Sequence, residues 1–250
     1  MKKNVKPLLY LAAVIAVMFS GCVFVNIGNS ANSGDTVTGQ GERETFQIKV
    51  GSFSKIKIEG LCEIRYYKGY SDTVTLEVQP NLRDYISVTV QDDTLIMKTT
   101  SKISYGRNRG PILTIYAPLL SRVTLEGAAS LTAYDKITSD NLTLAALGAG
   151  SVKAELDVNN LTINVSGAGS FNLSGKAQTA NIIFTGTGDL NALSLHTEET
   201  TISMSGAGSI KVNCTSKLGI SADGVGSIEY RGSPNINLNT SGLVSIKQVN

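Results

Sequence analysis

Between Thr45 and Thr99 apolar and polar residues alternate in short runs: FQIKV, KIKIEG, CEIRYY, TVTLEVQ, ISVTV and TLIMKT. A period of two is that of a half-buried strand, in which successive side chains point to opposite faces. QDDTL reads as the turn between two such strands, and SKISYGRNRGP, residues 101–111, as one long basic loop. From residue 111 the alternation continues under a second, longer period. The phrases ALGAGSV, VSGAGSF, FTGTGDL, MSGAGSI and ADGVGSI recur, and their first glycines belong to a series: Gly127, Gly148, Gly167, Gly186, Gly206, Gly224 and Gly242. The steps are 21, 19, 19, 20, 18 and 18 residues, and IEGLCEI at Gly60 reads as a divergent earlier copy.

A period near 19 is too short for a helix pair or a propeller blade, and strands repeating at that interval make one turn of a β-solenoid. Alignment on the glycines predicts ladders of stacked aliphatics. Leu161, Ile163 and Val165 match Ile182 and Phe184, then Ile202 and Met204, then Leu218 and Ile220, then Ile236 and Leu238. After the glycine, Val152, Phe171, Leu190, Ile210, Ile228 and Ile246 form a second ladder. Each coil stacks on its neighbour because none can bury its apolar face alone. Seven coils at a strand spacing of about 4.8 Å make a column of roughly 34 Å. The glycines read as corners, where positive φ and close backbone approach carry no penalty. The last coil has no helix to cap it, and Lys247 discourages pairing at its edge.

The first residues change the picture of where the domain works. Lys2, Lys3 and Lys6 precede an apolar run, Leu8–Phe19, of signal-peptide length, which ends in FSGC. Small residues before a cysteine resemble a bacterial lipobox, with Phe19 where leucine is usual. The expectation is a lipoprotein signal peptide over 1–21, lipidation at Cys22, a Gly/Ser/Asn/Thr-rich tether over 22–43, and a folded domain over 44–250. Within that domain, irregular strands occupy 44–110 and regular coils 111–250. Removing the leader leaves 19 basic against 20 acidic residues of the 22 and 20 in the whole chain, a net charge of −1, so nucleic acid is not an expected partner. Cys62 and Cys214 lie several coils apart in the repeat scheme and are expected as buried free thiols.

At this point the sequence resembles a family of auto-transporter adhesin "head GIN domain" proteins, common as Bacteroidetes lipoproteins. FSKIKIEG, DDTLIM, the SGAGSI phrases and the closing GSIEYRGSP carry the likeness, over about residues 46–246. The resemblance implies a right-handed, single-stranded β-helix with no recognisable catalytic residues and a role in adhesion. LEGAASL departs from the repeated phrase, with Ala129 in place of the second glycine.

Candidate chemistry is sparse. No GAGS phrase has the third glycine and helix of a dinucleotide site, or the Gly-Lys-Ser/Thr of a P-loop. His196 is the only histidine, so neither a triad nor a histidine-based metal site is expected, and Asp189 reads as an exposed strand-end carboxylate. No cofactor, metal or catalytic residue is expected. Tyr66, Tyr67 and Tyr70 in EIRYYKGY form one candidate binding patch, although alternation turns Tyr66 and Tyr67 to opposite faces and packing is the competing account. Tyr105, Arg107 and Arg109 in the basic loop form a second, against a plain solvated loop. The resulting expectation is a non-enzymatic lipoprotein anchored to the outer membrane, on its periplasmic or cell-surface face. Its partners would be glycans, envelope or host proteins, or a second copy of the chain. The alternatives are a carbohydrate-active protein and a self-associating structural protein of the envelope.

Overall fold

The computed structural model describes residues 36–99, 102–106 and 110–250. Its strands are β1 (Val37–Thr38), β2 (Glu44–Lys49), β3 (Lys55–Glu59), β4 (Cys62–Lys68), β5 (Thr73–Val78), β6 (Ile86–Gln91), β7 (Thr94–Thr99), β8 (Ile103–Ser104), β9 (Ile112–Ala117), β10 (Arg122–Leu125), β11 (Ala128–Ala133), β12 (Ile137–Ala146), β13 (Ala149–Val165), β14 (Ala168–Phe184), β15 (Thr187–Met204), β16 (Ala207–Ala222), β17 (Val225–Arg231), β18 (Asn235–Thr240) and β19 (Leu243–Gln248). One 3-10 helix, Pro80–Tyr85, joins β5 to β6. The long strands β13 to β16 pair in parallel, each with the next, and bend around the corners of a β-solenoid of about seven turns.

Alternation along each strand puts every second side chain inside. One ladder runs the length of the column: Leu113, Ile64, Leu131, Val152, Phe171, Leu190, Ile210, Ile228 and Ile246, each in register with the next. A second runs through Leu144, Ile163, Ile182, Ile202, Ile220 and Leu238. Here the structure corrects the expected alignment. Leu218 and Ile220 lie opposite Thr200 and Ile202, and Ala222 takes the place of Met204. The apolar side chains form one continuous core.

The seven repeated glycines stack on one another, with Gly60 beneath Gly127. A Cβ atom added to any of them would lie 1.9–2.4 Å from the carbonyl oxygen of the glycine one coil back. The same carbonyls accept hydrogen bonds from the next coil, for example Ala168 N to Gly148 O and Ala207 N to Gly186 O, both at 3.0 Å. Backbone contacts backbone at this corner, and a side chain has nowhere to go. None of the seven has positive φ, so the bend itself does not require glycine and the expected conformational reason is corrected. Positive φ falls instead on the second glycine of later phrases, as at Gly188 (φ 123°) and Gly226 (φ 145°). Ala129 pairs with Cys62 on one side and Gly150 on the other.

The uneven steps on either side of Gly206 are absorbed where β15 bulges, between Ala192 and His196. Polar groups freed by the bulge satisfy one another, as buried polar groups must. The buried Thr197 hydroxyl meets that of Thr200 at 2.7 Å and donates to the Asn213 carbonyl at 2.8 Å, and the Asn213 amide donates to the Leu193 carbonyl at 3.2 Å. Cys214 sits beside this knot, with its thiol donating to the Lys217 carbonyl at 3.0 Å. Both described cysteines are buried and free, and burial pushes the Cys62 thiol well above its ordinary pKa.

Chain order and spatial order part company at the N-terminal end. β3 and β4 form a coil that lies between β7 and β9 on one side and β10 and β11 on the other, all parallel. Beyond it the direction reverses. β5 pairs antiparallel with β9 and with β2, and β6 antiparallel with β7. These strands and the 3-10 helix bury Phe53, Val78, Leu82 and Ile86 and close that end.

Candidate functional site: a tyrosine ridge and its cleft

Register determines which aromatic side chains meet on the outer face. Tyr67 in β4 is opposite Tyr116 in β9, and β11 lies on the other side of β4, with Ala133 opposite Tyr66. Tyr134 follows directly, and its N–H donates to the Tyr66 carbonyl at 2.9 Å. Three adjacent coils therefore each contribute one outward ring. Tyr67 stacks between Tyr116, at 5.4 Å and 23° between planes, and Tyr134, at 5.0 Å and 7°. Both spacings suit offset stacking. The outer two rings remain open to solvent, Tyr116 at 42% and Tyr134 at 55% exposed.

Of the tyrosines singled out from the sequence, the structure brings only part into this surface. Tyr66 points inward as alternation requires, is fully buried, and donates its hydroxyl to the Ala117 carbonyl at 3.0 Å. Burial pushes its phenol up to about 12. Tyr70 is 78% exposed. Tyr105 is half-buried and packs against the core, and burial raises its pKa, so it presents no open ring as an exposed loop residue would. Arg107 and Arg109 lie outside the described residues, as do Cys22, the leader and the tether up to residue 35. Tyr116 and Tyr134 were not anticipated. A signal for Tyr134 exists, because it follows Gly127 by the same seven residues that separate Tyr67 from Gly60.

Charged and hydrogen-bonded groups flank the ridge. Arg65, on the same face of β4 as Tyr67, is bound to Glu63 at 2.9 Å and lies 3.9 Å from Glu77. The Lys68 backbone N–H donates to the Asp135 carboxylate at 3.0 Å, next to Tyr134. Beside the ridge is a cleft of about 210 Å³, walled by Tyr70, Tyr116 and Leu119 with Phe53, Ser71 and Asp93 among its lining. Asp93 occupies the turn between β6 and β7, with φ of 61°. Its carboxylate accepts from the Ser54 N–H at 2.8 Å and the Ser54 hydroxyl at 2.5 Å.

A second, shallower groove of about 350 Å³ follows the far corner of the coils, past Asp157, Lys176, His196 and Glu198. Asp157 pairs with Lys176 at 3.3 Å, and Nδ1 of His196 is 3.1 Å from the Asn213 amide, while Glu198 is exposed. Among the described residues no three His, Cys, Asp or Glu side chains converge as a metal site would need.

The chain is thus a parallel β-solenoid, closed at one end by antiparallel strands and carrying an aromatic ridge on its outer face. Residues 52–234 match the family described as "Putative auto-transporter adhesin, head GIN domain", and the chain belongs to that family. A crystal structure of a "putative adhesin" from Bacteroides fragilis is similar, with a TM-score of 0.78 and 28% identity, covering 85% of this chain and 100% of that one. Another "putative adhesin", from Parabacteroides merdae, has a TM-score of 0.65 at 24% identity and covers 86% of this chain and 100% of its own, a likeness of fold. No curated protein matches the sequence.

Proposed function

We propose that this chain is a membrane-anchored lipoprotein of the cell envelope whose β-helix works without catalysis, as an adhesive or scaffolding surface. The observation that carries the reading is the ridge itself. Three tyrosines from three coils are fixed in one stack on a rigid column, and tyrosine supplies contact area at little cost in conformational entropy. Membership of an adhesin-described family supports the same reading. The lipobox-like FSGC ending at Cys22 supports an anchor, and several acyl chains on one residue, at about 0.8 kcal/mol per buried methylene, hold firmly.

Two measurements test it. Cys22→Ala should move the protein from the detergent phase to the aqueous phase of Triton X-114, and unchanged partition would sink the anchor. Cells carrying Tyr134→Ala in the membrane-bound protein should attach less to their natural surface than cells with the unaltered chain. Equal attachment would remove the ridge from the adhesive role.

A further inference from the structure

We propose that the cleft between Tyr70 and Tyr116 binds a single neutral pyranose ring of a polysaccharide. The proposal rests on the adhesive reading above and names the class of its ligand. Size comes first. At about 210 Å³ the cleft is smaller than the roughly 300 Å³ at which ligand pockets usually begin, so it admits one ring and leaves the rest of a chain outside. Such a site suits one residue of a long polymer, where many weak contacts add through repetition.

The chemistry of the walls selects a sugar. Tyr116 gives one face to Tyr67 in the stack. Gly69 keeps another side of the ring clear, since a Cβ there would begin 3.6 Å from Cδ1 of Tyr116. Gly69 does not have positive φ, so the backbone does not demand glycine, yet any larger residue would begin to cover the ring. Tyr70, far out in solvent, forms the other wall. Aromatic faces carry negative charge density, which suits the C–H face of a pyranose.

The polar side of the cleft then decides which sugar. Asp93 accepts two hydrogen bonds from Ser54, and a carboxylate has about four lone-pair sites. The remaining sites accept from vicinal hydroxyls. Ser71 also lines the cleft, but its hydroxyl donates to the Thr73 carbonyl at 2.8 Å and accepts from the Thr73 N–H at 3.1 Å, so Asp93 is the group that orients the sugar. A uronate or sialate would bring a second negative charge beside Asp93, whose own charge already faces Lys55 at 3.9 Å. An acyl chain would leave the carboxylate facing methylenes.

The chain lacks tryptophan and has nine tyrosines, two of which line the cleft, so binding is read by isothermal titration calorimetry with tyrosine fluorescence as a second signal. The full-length protein should be titrated with cello-, xylo-, malto- and manno-oligosaccharides and, for contrast, with oligogalacturonate. At least one neutral series should bind in the millimolar range or tighter, and oligogalacturonate more weakly. Tyr70→Ala and Tyr116→Ala should each weaken binding about tenfold or more, and Gly69→Leu should block it. Leu243→Ala, on an exposed side chain of the C-terminal strand, should leave it unchanged. The proposal is overturned if no neutral series binds, if the acidic oligomer binds better, or if Tyr70→Ala and Gly69→Leu, folded by circular dichroism, bind as the unaltered chain does. Whole-cell attachment separates this failure from that of the adhesive reading. Attachment lost with Tyr134→Ala while no variant binds sugar overturns the cleft alone and leaves the ridge a protein-binding surface.

Discussion

The two ends of the solenoid meet the same physical problem with different means. A coil at either end has one face of apolar side chains and one row of backbone groups without a neighbouring coil. At the N-terminal end the antiparallel strands β2, β5 and β6 and the 3-10 helix supply that neighbour, and Leu82, Val78 and Ile86 are buried as deeply as any coil residue. At the C-terminal end β18 pairs only with β16, and β19 only with β17, among the described residues. Leu238 is 52% and Leu243 82% exposed, and the twelve residues of these two strands carry a single charge, Lys247. Ile246 belongs to the same ladder as the fully buried Ile228 yet is half-open to water. Equivalent positions in a repeat are therefore not equivalent in energy. What a ladder residue contributes depends on whether a coil lies on both sides of it.

The comparison makes its strongest claim about register. Removing residues 171–189 would take out one whole turn and join Ser170 to Leu190, which already lies opposite Phe171. The corner and both ladders would stay in phase, and because stability in a solenoid is nearly a sum over coils and their contacts, the shortened protein should still unfold cooperatively in urea. Removing only 171–180 would join strands of unlike direction and throw every later ladder out of phase, so the cooperative transition should vanish. Both variants failing alike would mean that the turn is not the unit of the fold.

The glycine stack gives a smaller but sharper contrast. A methyl group at Gly206 would begin 1.9 Å from the Gly186 carbonyl oxygen, whereas one at Gly51, near the N-terminal cap, would meet nothing within 4 Å. Gly206→Ala should cost about 3 kcal/mol or more, the upper end of what overpacking a filled interior costs. Gly51→Ala should be neutral or gain about 0.4–1 kcal/mol from the stiffer unfolded chain. Similar midpoints in thermal melts of the two variants would remove close stacking as the reason for the corner glycines.

The same contrast between regions explains what could be read from the chain. Coils 149–222 repeat one set of contacts, so spacing alone reveals the period, the corner and the ladder through Phe171. That reading slips at Leu218, because Ala222 weakens the apolar signal two residues before Gly224 and the eye moves to the stronger pair. At the N-terminal end it goes only part of the way. IEGLCEI is legible as an earlier copy, and Gly60 does lie beneath Gly127, but β7 and β9, which follow that coil in sequence, lie on its far side, and such long-range pairing leaves no periodic trace. Tyr134 shares its offset from a glycine with Tyr67 and was in principle legible. Tyr116 has no such glycine before it, and only the β4–β9 register brings it to the ridge. Of the two reasons the sequence offers for the glycines, close backbone approach holds and positive φ does not, because conformation and crowding select the same residue and sequence records only the residue.

Within one ladder the contrast reduces to a single side chain. Ile228 is fully buried, with Ile210 on one side and Ile246 on the other. Truncating it opens a cavity that coils on both sides hold open, so Ile228→Ala should cost about 2–4 kcal/mol. Ile246 has Ile228 behind it and water ahead. Its truncation removes less buried surface and leaves a gap that solvent fills without strain, and the end strand already frays at lower free energy than the core. Ile246→Ala should therefore cost about 1 kcal/mol or less. Urea denaturation of both variants at one protein concentration gives the two values. A cost at Ile246 equal to that at Ile228, constant on tenfold dilution, would mean that a segment of the same chain covers this end. An equal cost that falls on dilution would mean that a second molecule does.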